Sequence, residues 1–181
     1  MASKTQVTIE DLYRTKSKAE LVNGEVVLMT PTGDEPNYAA AEIFVSLRSY
    51  ARKTKRGRAV TDNAGFRVNL PDRKSFSPDA AFYVGPRAGM KFFEGPPIFA
   101  AEVRSEQDYG LNADAELAVK RRDYFASGTL VVWDVDLLGP DIVRVYRRSS
   151  PDQPTIYRRG DLAEAEPAVP GWTMPVNDLF E

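Results

Sequence analysis

Residues 98–135 place the tightest limit on what this chain can fold into. Ile98-Phe99-Ala100-Ala101-Glu102-Val103 is a nearly unbroken apolar run, the pattern of a strand buried on both faces. Residues 111–127 have the length of a helix that Gly128 stops. Thr129-Leu130-Val131-Val132-Trp133-Asp134-Val135 then reads as a second buried strand. Upstream, residues 37–55 carry Tyr38, Ala41, Ile43, Phe44, Val45, Leu47 and Tyr50 at helical spacing. They end in Arg52, Lys53, Lys55 and Arg56, cations that suit the negative end of a helix dipole. Further strands are expected at about 65–70 and 79–84, with residues 142–147 and 155–158 as hairpin partners. Residues 167–180 are irregular but apolar enough to dock. Strands alternating with two long helices predict an α/β or α+β sandwich around a mixed sheet.

The N-terminal part adds a smaller unit. Residues 8–18 read as a short helix capped by Thr8, with Asp11 three residues on in place of the usual Glu or Gln. In Glu20-Leu21-Val22-Asn23-Gly24-Glu25-Val26-Val27-Leu28-Met29, Asn-Gly between apolar runs predicts a β-hairpin, because both turn residues need positive φ. That register sets Val22 against Glu25 and Glu20 against Val27, so both glutamates project from one side.

Composition removes whole classes of chemistry. The 181 residues contain no cysteine and no histidine. Disulfides, zinc fingers, iron–sulfur clusters, thiol nucleophiles, Ser-His-Asp triads and HExxH zinc sites are all excluded. An enzyme of this composition must work with carboxylates, lysine, hydroxyls and a hard, oxygen-loving cation. Lys plus Arg is 24 and Asp plus Glu is 26, so nucleic acid could be held only by a local patch. A chain of this length buries about 70% of its unfolded surface, enough for one full core, and residues 1–181 are expected to be a single domain. No apolar run reaches membrane-spanning length and Met1–Gln6 lacks a hydrophobic signal core, so the expectation is a cytoplasmic protein without membrane contact.

Three polar residues stand out. Asp79 follows Ser77-Pro78 at the mouth of a strand, as an ordinary strand-edge aspartate or a ligand would. Glu102 interrupts the apolar run, and a buried carboxylate needs a cation, a partner or a raised pKa. A structural salt bridge to Arg104, two residues on, is the plain alternative. Lys120 shares a stripe with Ala113, Leu117 and Tyr124, where it either snorkels or points at an anion. Taken together, acid, acid and lysine form a hard-cation site with an electrostatic assistant. Mg²⁺ takes one or two carboxylates and lowers the pKa of bound water. Glu20 or Glu25 could complete that shell or polarise the water.

These segments, with Val132-Trp133-Asp134-Val135-Asp136 and the closing Pro170-Gly171-Trp172…Leu179-Phe180, resemble the Uma family of restriction endonucleases, once catalogued as a domain of unknown function. The likeness runs from about Ile9 to Phe180. It implies membership of the PD-(D/E)XK nuclease superfamily: a restriction-endonuclease-like mixed sheet flanked by helices, Mg²⁺-dependent phosphodiester hydrolysis (Mn²⁺ as the alternative ion) and a DNA substrate. It maps the superfamily's two acids onto Asp79 and Glu102, the metal ligands, and its upstream glutamate onto Glu20. The superfamily lysine normally stands two residues after the second acid, where this chain has Arg104; in this family it has moved to the next helix, matching Lys120. Relatives often carry a histidine after a Met-Ser-Pro segment, whereas Met29-Thr30-Pro31 here leads to Asn37. The resemblance also implies a homodimer.

Two other readings compete. A catalytically inactive nuclease fold serving nucleic-acid binding or assembly would follow if an Arg104–Glu102 ion pair took the metal's place. A carboxylate-pair glycosidase needs two acids about 5–9 Å apart and no metal, and Lys120 gives it no support. Arg121–Arg122, Arg147–Arg148, Arg158–Arg159 and the Lys53–Arg58 cluster read as solvated faces before phosphate contacts. Gly85-Pro86-Arg87-Ala88-Gly89 lacks the spacing of a phosphate-binding loop. Trp133 and Trp172 read as core residues rather than stacking platforms.

Overall fold

Asn23 and Gly24 both have positive φ, 51° and 74°, and the turn they make sets the hairpin in the expected register, Glu20 opposite Val27 and Val22 opposite Glu25. The computed structural model describes residues 7–180, so residues 1–6, where a signal core was sought, lie outside the described residues. In chain order the elements are α1 (Ile9–Arg14), β1 (Ala19–Val22), β2 (Glu25–Leu28), α2 (Asp34–Thr54), β3 (Arg58–Thr61), β4 (Phe66–Arg67), β5 (Ser75–Phe76) and β6 (Ala80–Tyr83). There follow β7 (Phe93–Glu94), β8 (Phe99–Val103), α3 (Leu111–Ser127), β9 (Val131–Val135), β10 (Val143–Arg147), β11 (Ser150–Tyr157), β12 (Leu162–Glu164) and β13 (Thr173–Pro175). A short 3₁₀ turn, Val176–Leu179, closes the chain.

The architecture is the expected α+β one. Six strands form a mixed sheet in the order β11-β10-β9-β8-β6-β3. Only β8 and β9 run parallel, because α3 carries the chain back between them; every other neighbour is antiparallel. Beside it, β5-β4-β7 form a second small sheet, and β1-β2 and β12-β13 are hairpin-like pairs.

Strand alternation decides what each sheet face meets. Phe99, Ala101 and Val103 of β8, with Val131, Trp133 and Val135 of β9, pack against Ala39, Ile43 and Leu47 of α2. The C-terminal stretch joins this core through Trp172, Met174 and Leu179, and the Trp133 and Trp172 rings stack at 5.0 Å, so both indoles are core residues. The intervening residues, Ala81, Tyr83, Ala100 and Val132, face Tyr124 and Phe125 of α3 together with Phe66 and Phe76. By the same parity Asp79, Glu102 and Asp134 belong to the α3 face.

Several elements differ from expectation. The first helix stops at Arg14, although its Thr8–Asp11 capping box forms, because Lys18 is already drawn into the hairpin: its carbonyl accepts from the Met29 N–H at 2.9 Å. The second helix starts earlier, at Asp34. The strand expected over 65–70 shrinks to Phe66–Arg67, and β3, an edge strand, had no clear signal. Among the described residues no helix is long and apolar enough to cross a membrane.

Candidate active site

Asp79 and Glu102 come together because β6 and β8 are antiparallel neighbours. Ala80 pairs with Ala101, so the next step of the register sets Asp79 opposite Glu102. The Asp79 N–H donates to the Ala101 carbonyl at 3.2 Å, and its Oδ2 accepts from the Val103 N–H at 2.9 Å. The Ser77-Pro78 segment thus leads Asp79 into the strand end with its carboxylate turned onto the sheet.

Glu102 looks to α3, where Lys120 and Tyr124 are one turn apart on the inward stripe. Lys120 Nζ donates to Glu102 Oε2 at 2.9 Å and the Tyr124 hydroxyl to Oε1 at 2.6 Å. Lys120 does not snorkel; its ammonium also lies 3.0 Å from Glu20 Oε1. Glu20, on β1, is buried, and Oε1 further accepts the Ser77 N–H at 2.8 Å while Oε2 takes the Arg73 guanidinium at 2.5 Å. Arg73 in turn bonds Asp123 of α3 at 2.7 Å and lies over the Phe76 ring, which stacks on Tyr124 at 3.9 Å. Glu20 therefore clamps Lys120 and the Ser77 backbone from behind. Glu25, across the hairpin and paired with Val22, is exposed.

The electrostatics follow from burial and crowding. Desolvation pushes the Glu102 carboxyl up to about 7; Lys120 and Tyr124 oppose the shift, while the charges of Asp79 and Glu20 add to it. Glu20 is buried too, but Lys120, Arg73 and the Ser77 N–H outweigh its desolvation and hold it below the usual carboxylate range. For Lys120, burial disfavours the ammonium, yet Glu102 and Glu20 keep it above the ordinary lysine value, so it stays charged. The Tyr124 hydroxyl, desolvated and beside Glu102, is raised well above its usual range and remains a donor.

Arg104 does not pair with Glu102, contrary to the plain structural reading of the sequence. Its side chain runs sideways to the parallel neighbour β9, where Asp134 sits in register with Glu102. Nε and Nη2 fork onto Asp134 at 2.7 and 2.8 Å, and Nη1 reaches Asp114 of α3 at 2.7 Å. The fork ties the end of β8 to β9, the third bond reaches α3, and Glu102 is left to Lys120 and Tyr124.

The sequence reading overlooked a second lysine. Lys18 Nζ donates to Asp79 Oδ1 at 2.9 Å and to Asp62 Oδ1 at 2.5 Å. Two signals point to it: Lys18 stands two residues before Glu20, hence on the same hairpin face, and Asp62 directly follows β3, whose Thr61 pairs with Ala80. Asp79, Glu102, Lys120 and Glu20 are thus one contiguous cluster, with Lys18, Asp62, Arg73, Asp123 and Tyr124 around them. Among the described residues no group of three or more acidic side chains is placed to hold a metal ion. The donor set is two opposed carboxylates with hard oxygen atoms, the number Mg²⁺ commonly takes from protein. Each of their oxygens accepts one protein donor, and a carboxylate oxygen has a second lone pair to give. In type and number, then, the pair fits such an ion. A hollow of about 830 Å³, lined by residues such as Leu21, Leu70, Lys74 and Ala126, touches none of these acids.

Of the arginines that sequence left as phosphate contacts or solvated faces, several are committed elsewhere. Arg121 lies over Tyr146, Arg147 pairs with Glu164, Arg158 with Asp141, and Arg159 lies over Phe180.

A mixed sheet with helices on its flanks also describes the fold of a solved protein. A crystal structure from Anabaena variabilis, titled a putative nuclease belonging to DUF820, superposes with a TM-score of 0.72, covering 96% of this chain and 97% of that one at 17% identity. The family model Uma2, described as a putative restriction endonuclease, matches residues 7–177, and the chain belongs to that family. No curated protein matches it.

Proposed function

We propose that the protein is a Mg²⁺-dependent endonuclease that hydrolyses DNA phosphodiester bonds at Asp79, Glu102 and Lys120. The observation that carries this reading is the opposed Asp79–Glu102 pair with a charged, buried Lys120 on its flank, in a chain of the restriction endonuclease family. Asp79 and Glu102 would hold Mg²⁺ or Mn²⁺, which when bound supplies Lewis-acid polarisation and a bound water of lowered pKa. The remaining chemistry is the chain's own. Lys120, kept protonated by Glu102 and Glu20, stabilises negative charge gathering on the phosphodiester in the transition state. Tyr124 fixes Glu102 through Oε1, and Glu20 fixes both Lys120 and the Ser77-Pro78-Asp79 approach, so the groups are held before substrate arrives. The test is metal-dependent cleavage of plasmid and single-stranded DNA by the wild type and by Asp79→Ala, Glu102→Ala and Lys120→Ala. Each substitution should lower the rate at least about a hundredfold; activity that survives all three places the chemistry elsewhere.

A second reading keeps the fold for binding without catalysis. Its supporting observation is that Lys18 and Lys120 already sit on the two carboxylates, the place in which sequence had put Arg104. Calorimetric titration with Mg²⁺ or Mn²⁺ separates the two, since millimolar or tighter binding that Asp79→Ala abolishes counts against it.

A further inference from the structure

Among the described residues, four groups hydrogen-bond the proposed ligand carboxylates, and they differ in how freely they can leave. The Val103 N–H belongs to the backbone of β8, and its bond to Asp79 Oδ2 is part of how β6 and β8 are joined. Lys120 and Tyr124 come from α3 and are themselves held, Lys120 by Glu20 and Tyr124 by its stack on Phe76. Lys18 differs from all three. It stands just outside the hairpin strands on a long flexible stem, and its ammonium has two acceptors, Asp79 Oδ1 and Asp62 Oδ1. Asp79 is mostly buried, 15% exposed at its side chain, and with no cation beside it would be an uncompensated interior charge. Asp62 is 37% exposed, so it can keep the ammonium in a partly hydrated pair.

We propose that Lys18 is a tethered counter-ion for Asp79 that a divalent cation displaces onto Asp62, so that Lys18 and Asp62 together set how tightly the site takes metal. This rests on the reading of Asp79 and Glu102 as metal ligands. The ammonium neutralises Asp79 while no ion is bound, then retreats to the acceptor it already touches. Because like charges a few ångströms apart repel, the lysine works against the incoming ion; Asp62 weakens that opposition by offering the ammonium a place to go.

The experiment is calorimetric titration of the full chain with Mn²⁺ in the absence of nucleic acid, with a thermal melt of each variant as a check on folding. Lys18→Met keeps the stem and deletes the charge, and its Kd for Mn²⁺ should fall at least about tenfold. Asp62→Asn leaves the ammonium to Asp79 alone, and its Kd should rise several-fold. Opposite signs are the signature, because damage to the fold would weaken both. Binding in the wild type that Lys18→Met leaves equal or weaker overturns the inference and spares the metal reading. Binding in Lys18→Met alone, abolished by adding Asp79→Asn, supports both. No binding in either overturns both. Should Lys18→Met fail to fold, Asp62→Asn decides: weaker binding supports the inference, and unchanged or tighter binding overturns it.

Discussion

Glu102→Gln should stabilise the metal-free protein relative to wild type at high pH and lose that advantage in acid. The Glu102 carboxyl moves from an ordinary 4.5 to about 7 in the folded state, with desolvation the leading cause. An acid whose pKa rises on folding binds more protons in the native state between those values, so stability falls as pH climbs from 4.5 to 7. A shift of about 2.5 units corresponds to roughly 3 kcal/mol, lost between about pH 4.5 and pH 8. Glutamine carries no titration, can accept from Lys120 through its carbonyl and can donate to the Tyr124 oxygen. The other acids of the cluster titrate in both proteins, and Glu20, held low, acts in the opposite sense at a lower pH. The assay is urea unfolding of both proteins in EDTA at several pH values, read as the difference in unfolding free energy. That difference should swing by about 3 kcal/mol in favour of Glu102→Gln between pH 4.5 and pH 8. A difference that stays flat over the range would refute the reasoning, because Glu102 would then ionise as if it were in water.

Tyr124→Phe keeps the stack on Phe76 and deletes the hydroxyl that donates to Glu102 at 2.6 Å; urea unfolding should show a loss of about 1–3 kcal/mol. Arg104→Lys cannot reproduce the two-pronged grip on Asp134 and should cost about 1–2 kcal/mol in the same measurement, while calorimetric Mn²⁺ binding stays unchanged because Arg104 lies outside the Glu102 contacts. Trp172→Ala empties a buried site beside Trp133 and deletes the indole N–H donated to Ser46 at 3.0 Å; thermal or urea unfolding should register about 3–5 kcal/mol.

What could be read from sequence was whatever a local pattern encodes. The Asn23-Gly24 turn dictates its own register, and the 111–127 helix carries its stop in Gly128, so both appear where expected. Glu102 and Lys120 betrayed themselves by being polar in apolar settings. Edge strand β3 carries no such mark, since Arg-Ala-Val-Thr becomes a strand only by pairing with β6. Lys18 and Asp62 were overlooked for a related reason: apart from the spacing of Lys18 to Glu20, each is an ordinary surface residue type, and their meaning arises from three chain segments meeting at Asp79. Arg104 misled because proximity along a strand suggested Glu102, whereas the partner was decided by parallel pairing with β9, a non-local event.

The charge balance of the cluster ties the proposed metal to the proton on Glu102. Three cations, Lys18, Arg73 and Lys120, face five carboxylates, Glu20, Asp62, Asp79, Glu102 and Asp123. The fold therefore lacks positive charge here. With no ion present, Glu102, desolvated and crowded by the charges of Asp79 and Glu20, answers by holding its proton up to about pH 7. A divalent cation would outweigh that shift by compensating the charge and require the ionised carboxylate, so its binding must expel the proton. At pH 6, one unit below the apparent pKa, about nine-tenths of Glu102 carries a proton, and roughly one proton should leave per ion bound; by pH 8.5 the release should approach zero. Calorimetry of Mn²⁺ binding in buffers of different ionisation enthalpy counts the protons directly. Release that is absent at pH 6, or equal at both pH values, would mean that the ion does not engage Glu102, and Asp79 alone would have to account for any site.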